Sequence, residues 1–328
     1  MALPDSLTRG LRLPLIAAPM LRVSGAELVS AACCAGVIGA FPTVNARSPQ
    51  ELDAWLARIA ADRERAGRPT APPCPNLIMR RDPEAIAEDV RVLVRQRVAM
   101  VIVSVGSPAT VVGPLHDAGC RVFADVASLR HAEKALAAGA DGLVLLSAGA
   151  GGQTGWVNGL SFVRALRAFY DGPLVLAGGM HDGAALWAAR VLGCDLGMMG
   201  TRFIATPESM ASDAYRRMLV DSRLDDVLLT RAFTGLDTNM LRPSILAAGL
   251  DPAALPASTP EDARKVFGPD GSAHVRRWVD VWSAGHTVSG VDAVRPAAEL
   301  IEHIAAEYAA ARRDTAALLA GSGAGHPA

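Results

Sequence analysis

The chain has 328 residues, with 32 Lys and Arg against 33 Asp and Glu, and a net charge of −1. This balance argues against a nucleic-acid binder, which needs a basic surface, and against a disordered chain, which is polar and strongly charged. The mean hydropathy is high, at +0.25. No run of about 18 apolar residues predicts a membrane span, so we expect the apolar residues in a buried core.

The five cysteines form no CxxC pair and have no spacing typical of a metal site. Thiols without a disulfide framework are typical of a reducing compartment. The first residues also lack the basic and apolar segments of a secretory signal. We therefore expect a cytoplasmic protein with no bound metal, no nucleic-acid partner and no membrane contact.

Eight short apolar runs alternate with amphipathic stretches through the first two thirds of the chain. Each run is apolar on both alternating faces, which is typical of a strand in a buried parallel sheet. In chain order the runs are LPLIAAPM (13–20), GVIGAF (36–41), CPNLIM (74–79), MVIVSVG (100–106), CRVFADV (120–126), GLVLLS (142–147), PLVLAGG (173–179) and DLGMMG (195–200).

Helix start signals lie between these runs. They are short polar residues that can cap a helix, several followed by Pro or by Glu at the spacing of a capping box. The predicted caps are Ser24, Ser48, Asp82, Ser128 and Asp182.

Eight strand–helix units within about 220 residues predict a (β/α)8 TIM barrel over residues 1–225. An open doubly wound sheet is the alternative, but the first strand is not followed by the Gly-rich turn typical of that fold. After residue 225 the alternation stops. We predict that residues 226–320 form a helical segment that packs on the barrel, with helices at 260–282 and 291–319. The tail, 321–328, is predicted to be disordered.

Glycines cluster at the ends of the last three predicted strands. Because glycine has no side chain, its amide can approach a phosphate closely, and phosphate sites in such barrels form after strands seven and eight. The sequence therefore predicts a ligand that carries phosphate. These glycines fall within 147–155, 178–183 and 199–203.

Seven motifs indicate a resemblance to one enzyme family. It resembles the nitronate monooxygenase family, which holds FMN in a TIM barrel, and the related FMN-dependent enoyl-acyl-carrier-protein reductases and NADH:quinone reductases. The motifs are APM (18–20), PNLIM (75–79), AGGQTG (150–155), LAGGMHDG (176–183), GMMGTRFIATPES (197–209), TRAFTG (230–235) and VWSAGH (281–286).

The resemblance implies FMN as the cofactor and assigns three groups of residues to it. The group that would line the flavin ring or form hydrogen bonds with it is Ala18, Pro19, Met20 and Asn76. The group that would border the flavin after strand six is Ser147, Gly151 and Gly152. The group that would bind the phosphate is Gly178, Gly179, Met199, Gly200 and Thr201.

Gln153 departs from the family pattern, which has His at this position. Histidine moves a proton near neutral pH, whereas Gln only donates and accepts hydrogen bonds. A neutral nitroalkane needs a base, but an anionic nitronate does not, so Gln153 is interpreted as a polar clamp. If the VWSAGH loop folds over the barrel mouth, His286 brings an imidazole back to the site. We therefore regard Gln153 and His286 as the catalytic candidates.

The resemblance favours oxidation of alkyl nitronates with molecular oxygen. The missing His keeps a second activity open, NAD(P)H-dependent reduction of quinones or enoyl thioesters by FMN. A barrel that binds flavin or another phosphate ligand without turnover is an alternative of a different class, and a non-flavin isomerase or aldolase is another. The latter is expected to carry Lys or Glu at strand ends, where only Asp125 is acidic. Use of NADH or NADPH and formation of a homodimer stay open.

Overall fold

The computed structural model describes residues 3–268 and 272–322. Eight strands, one from each apolar run, form the barrel. They are β1 (Leu15–Ala17), β2 (Ile38–Pro42), β3 (Pro73–Ile78), β4 (Met100–Ser104), β5 (Arg121–Val126), β6 (Gly142–Leu146), β8 (Leu174–Ala177) and β9 (Leu196–Met199). A short strand, β7 (Gly152–Gln153), lies outside the barrel between β6 and β8.

The barrel is closed by parallel pairing of β1 with β9, where Ile16 lies opposite Met198. This confirms the predicted (β/α)8 fold. Alternate residues of each strand point inward, and apolar side chains such as Ile102, Phe123 and Val144 fill the interior. The opposite face of each strand packs on the helices, which explains why the runs are apolar on both faces.

Helices surround the barrel and extend past it. They are α1 (Asp5–Thr8), α2 (Ala26–Cys34), α3 (Pro49–Arg65), α4 (Pro83–Arg95), α5 (Ala109–Asp117), α6 (Leu129–Ala137), α7 (Gly159–Arg167), α8 (Gly183–Leu192), α9 (Thr201–Ile204), α10 (Asp213–Asp221), α11 (Arg242–Ala247), α12 (Pro260–Phe267) and α13 (Ala297–Ser322).

Most of the predicted caps begin helices as expected. The side chains of Ser48, Asp82, Ser128 and Asp182 each accept a hydrogen bond from a first-turn amide of their helix. Ser24 does not, because α2 begins after Gly25. Its hydroxyl donates to the carbonyl of Ala18 at 2.9 Å instead, and so fixes the end of β1.

The segment after residue 225 is only partly helical, which corrects the sequence expectation. Two strands, β10 (Val227–Thr230) and β11 (Thr238–Leu241), form an antiparallel sheet with β7 in the order β10-β11-β7. The helix expected at 260–282 ends at Phe267, where Gly268 takes an extended conformation. Of the tail predicted to be disordered, α13 includes 321 and 322, and 323–328 lie outside the described residues.

Helix α13 returns to the barrel and packs on α8. The rings of Trp187 and Tyr308 meet edge to face with centroids 5.8 Å apart. At Gly183 the two backbones approach so closely that a Cβ would come within 2.1 Å of the Tyr308 nitrogen. Glycine is therefore required at the start of α8, and its close contact holds α13 against the wall of the barrel.

Candidate active site

A cleft of about 1720 Å³ lies at the carboxyl ends of the barrel strands. The loops that follow the strands line it, together with the small sheet and the 278–287 segment. This is the end of the barrel where the active sites of such folds lie. Most of the site residues expected from the sequence share the lining: Ala18, Pro19, Met20, Asn76, Gly151, Gly152, Gln153, Gly178, Gly179, Gly200 and Thr201.

One wall of the cleft is built from polar side chains of β3, β4 and β5. We call Asn76, Ser104 and Asp125 the polar wall. Asn76 is 4% exposed, and its Nδ2 donates to the Ile102 carbonyl at 3.1 Å and to Ser104 Oγ at 3.0 Å. Asn76 therefore lies within β3 and bonds the neighbouring strand, β4.

Asp125 has an unusual environment for a carboxylate. It lies two residues after the inward-pointing Phe123, so it shares the inner face of β5, and it lines the cleft. Burial raises the pKa of its carboxyl from 3.8 to about 7. No hydrogen bond or ion pair to Asp125 occurs within the described ranges, so nothing offsets the loss of hydration.

The facing wall is made of backbone. We call Gly151, Gly152, Gly178, Gly179 and Gly200, from the loops after β6, β8 and β9, the glycine wall. Gly178 has φ +101°, and a Cβ there would lie 2.6 Å from the Ser147 Oγ atom. Gly179, at φ +74°, has open space where a side chain would be. These loops thus present bare backbone to the cleft.

Several amides of the glycine wall are available to a ligand. Within 3–268 and 272–322, the N–H groups of Gly178, Gly179 and Gly200 have no hydrogen-bond acceptor. Thr201 Oγ1 accepts from the Gly285 amide at 2.9 Å, which leaves the hydroxyl proton free to donate. Unpaired donors of this kind fit the oxygens of a phosphate, which is the anionic end of FMN.

The 281–286 loop reaches the mouth of the barrel and is held there by hydrogen bonds. Tyr215 donates to the Ser283 carbonyl at 2.6 Å, and the His286 amide donates to Gly149 at 2.9 Å. Asn239 of β11 donates to the Ala150 carbonyl at 2.7 Å from the other side. The loop and the small sheet together fix 149–153 over the cleft.

Three of the expected site residues do not line the cleft. The ring of His286 is exposed and lies against Gly149, where a Cβ would come within 2.9 Å of Nδ1. Met199 is buried among the helices because it points outward from β9. Ser147 is buried and donates to the Ala177 carbonyl at 2.8 Å, so its side chain supports the glycine wall from behind.

Gln153 does face the cleft, from β7, where it lies opposite Thr238 of β11. The part of the chain that the structure describes provides no hydrogen bond to its side-chain amide. Its amide is therefore available to a bound molecule, as either a donor or an acceptor.

Aromatic residues around the cleft were not assigned from the sequence. Trp282 stacks on Tyr215 with ring centroids 5.1 Å apart, and Trp278 lies near Gly152. Trp156 lines the entrance and is 79% exposed. The sequence signal that could have identified Trp156 is the position of a large aromatic residue directly after the AGGQTG motif.

Two kinds of feature are absent from the described residues. No cluster of three or more His, Cys, Asp or Glu side chains is arranged to hold a metal ion. No helix within the same ranges combines the length and the apolar character needed to cross a bilayer.

Comparison with known proteins identifies the family. A family model described as nitronate monooxygenase matches residues 75–326. A nitronate monooxygenase of Paraburkholderia phytofirmans is 28% identical over 91% of this chain and 93% of its own length. The solved structure of a nitroalkane oxidase from Streptomyces ansochromogenes is 26% identical and superposes with a TM-score of 0.78, covering 94% of this chain and 99% of that chain.

Another relative has a different activity. The (3aS,4S,5R,7aS)-5-hydroxy-7a-methyl-1-oxo-octahydro-1H-indene-4-carboxyl-CoA dehydrogenase of Mycobacterium tuberculosis is 28% identical over 72% of this chain. The chain spans 65% of the length of that relative. Relatives at about this level of sequence identity therefore catalyse more than one kind of oxidation–reduction reaction.

Proposed function

The chain belongs to the nitronate monooxygenase family and is an oxidoreductase, and we propose that it uses FMN to oxidise alkyl nitronates with molecular oxygen. The observation that carries the proposal is the set of unpaired amides of the glycine wall beside a cleft of about 1720 Å³. Such a cleft has room for a flavin and a small substrate.

Each end of the cofactor has residues that fit it. The amides of Gly178, Gly179 and Gly200, with the Thr201 hydroxyl, would hold the phosphate. The 18–20 segment and Asn76 would contact the ring. When bound, FMN accepts electrons from the substrate and passes them to oxygen, while the protein positions the two and excludes water.

Gln153 is suited to an anionic substrate. A nitronate carries negative charge on its nitro oxygens, and a side-chain amide donates hydrogen bonds to such oxygens. Because the nitronate is already deprotonated, its oxidation needs no base at position 153. Gln153 therefore acts as a clamp for the substrate in this proposal.

The absorbance spectrum of the purified protein, with added FMN if necessary, tests the cofactor. Anaerobic mixing with propionate-3-nitronate, NADH and NADPH then tests the substrate. We expect flavin bands in the spectrum and bleaching by the nitronate. If no flavin binds, the proposal fails, and bleaching by a nicotinamide alone would favour the reductase.

A second candidate, an NAD(P)H-dependent reductase of quinones or enoyl thioesters, is favoured by the basic residues at the cleft. Arg80, Lys134 and Arg264 line the cleft and are exposed. None of them pairs with a carboxylate within the described residues. They would attract the phosphates of a nicotinamide or of a CoA thioester, and the mycobacterial relative carries a CoA thioester in its name.

We place the enzyme in the cytoplasm. All five cysteines are free thiols, which supports a reducing compartment. A homodimer stays a prediction that light scattering of the purified protein would check.

A further inference from the structure

The cleft contains one carboxylate whose presence neither the flavin nor the fold explains. Asp125 occupies the inner face of β5 and lines the cleft, as do Ser104 of β4 and Leu146 of β6. In most barrel strands this face is apolar, and Phe123 and Val144 belong to the core inside the barrel. Among the residues that the structure describes, no hydrogen bond or ion pair offsets the cost of this carboxylate, and such a cost is typical of a functional group.

Other acid–base groups along the cleft are less suited to proton transfer. Asp237 is ion-paired with Arg231, and its pKa is lowered by that hydrogen bond. Asp82 caps α4 and is exposed, and the Tyr215 hydroxyl is bonded to Ser283 with its pKa raised to about 12 by burial. Gln153 does not titrate, and His286 lies outside the cleft.

The charged and titratable groups around Asp125 leave it free to exchange a proton. Cys74 of β3 interacts with it, but burial raises the pKa of this thiol well above its usual range, so the thiol stays neutral. At the mouth of the cleft lie Arg80, Arg81, Asp82, His131 and Lys134. Arg81 is paired with the buried Asp89. Desolvation is the cause of the raised pKa of Asp125, which therefore changes protonation near neutral pH.

Resting on the proposed function, we propose that Asp125 is a catalytic base that extends the substrates of this enzyme from nitronates to neutral nitroalkanes. The carboxylate takes the proton from the carbon that bears the nitro group. The electron pair of the broken C–H bond forms the C=N bond of the nitronate, and the negative charge moves to the nitro oxygens. Asp125 becomes a neutral acid and later releases its proton to water in the cleft.

This step is redox-neutral and precedes the oxidation. It supplies the base that the family pattern places at position 153, from a different strand of the same barrel. A base with a pKa close to neutral is suited to proton abstraction from carbon at physiological pH.

The experiment compares neutral nitroethane with preformed ethyl nitronate in the FMN-loaded enzyme, by anaerobic stopped-flow. We expect both to bleach the flavin of the wild type. The rate with nitroethane should rise with pH through a pKa near the value of about 7, and deuterium on the reacting carbon should slow it. In Asp125→Asn the rate with nitroethane should fall about 100-fold or more, whereas the rate with nitronate stays within about threefold of the wild type.

Three further measurements distinguish a catalytic role of Asp125 from a structural one. Asp117→Asn makes the same chemical change on the exposed face of α5, outside the cleft, and should leave both rates unchanged. Asp125→Glu keeps a carboxylate and should recover part of the nitroethane rate. In the infrared spectrum, a protonated carboxyl band should titrate near neutral pH in the wild type and be missing in Asp125→Asn, independently of turnover.

The outcomes distinguish the two proposals. If ethyl nitronate fails to bleach the flavin, the proposed function and the role of Asp125 both fall. If the nitronate bleaches the flavin but nitroethane does not, or if Asp125→Asn uses nitroethane at the wild-type rate, the role of Asp125 alone is overturned. Loss of the nitronate reaction in a folded Asp125→Asn variant would also overturn it, since a base is not needed for that substrate.

Discussion

The two walls of the cleft use different parts of the chain. The glycine wall presents backbone amides, which have the same chemistry at every residue and do not titrate near neutral pH. The polar wall presents the side chains of Asn76, Ser104 and Asp125, and its charge depends on pH. The comparison suggests different roles, in which the glycine wall holds the phosphate of the cofactor and the polar wall faces the flavin ring and the substrate.

The largest expected difference between the walls is in their response to pH. Asp125 has a pKa of about 7 in the fold and an ordinary value of 3.8. The folded state therefore binds the proton more tightly than the unfolded state does. The stability that comes from this bound proton is lost as the pH rises from about 4 through 7. Replacement by Asn, which stays neutral, should remove this loss, worth up to about 4 kcal/mol at pH 8.

Chemical denaturation of the flavin-free full chain at pH 5 and pH 8 measures this effect. The difference in unfolding free energy between Asp125→Asn and the wild type should be more favourable to the variant at pH 8 than at pH 5. Parallel pH dependence of the two proteins would show that Asp125 titrates normally, and the contrast between the walls would then be wrong.

The glycine wall should be sensitive to any side chain. In Gly178→Ala, the new Cβ would meet the Ser147 Oγ at 2.6 Å and the Ser147 carbonyl at 2.9 Å, in a backbone conformation that Ala disfavours. We expect FMN affinity to fall about 100-fold, measured by quenching of flavin fluorescence. Gly113→Ala is the matched control, because no atom outside its own stretch of helix lies within 4 Å of the new Cβ and its φ is not left-handed. Equal FMN affinity in the two variants would show that Gly178 does not contribute to the cofactor site.

The walls also differed in how far the sequence predicted them. Glycines recur at the ends of three consecutive strands, and a backbone site can be recognised from them before the fold is known. The polar wall depends on closure of the barrel, which brings β3, β4 and β5 side by side, and on which residues of each strand point inward. The sequence shows Asp125 as an acid at a strand end. It does not show that the carboxyl is half-buried and desolvated, with no hydrogen bond or ion pair among the described residues.

The small sheet was missed for a related reason. Strand β7 has two residues, too few to leave a pattern, and it pairs with β11 about 85 residues later. A role for His286 depended on the 281–286 loop folding over the barrel mouth. The loop does so, but the direction of the His286 side chain depends on its packing against Gly149.

Thr201 joins the glycine wall to that loop, and its hydroxyl should matter less than a glycine of the wall. Thr201→Val keeps the shape but removes both the free donor and the acceptor of the Gly285 amide. We expect about tenfold weaker FMN binding, in line with the loss of one charge-assisted hydrogen bond. Thr201→Ser should bind FMN within about twofold of the wild type, and a Ser variant as weak as Val would assign the effect to packing.

The smallest change is expected from substitution of Ser104, whose hydroxyl is hydrogen-bonded to Asn76 within the polar wall. In Ser104→Ala, Asn76 loses the bond of its Nδ2 to Ser104 Oγ at 3.0 Å and the bond that Ser104 Oγ donates to its Oδ1 at 3.3 Å. Its Nδ2 keeps the bond to the Ile102 carbonyl at 3.1 Å. Because Nδ2 keeps one partner while the buried Oδ1 loses its donor, the free energy of unfolding should fall by about 1–2 kcal/mol, measured by urea denaturation. FMN affinity should stay within about twofold, because the amides that would hold the phosphate are unchanged. A tenfold loss of affinity in this variant would show that the polar wall contributes as much to FMN binding as the glycine wall does.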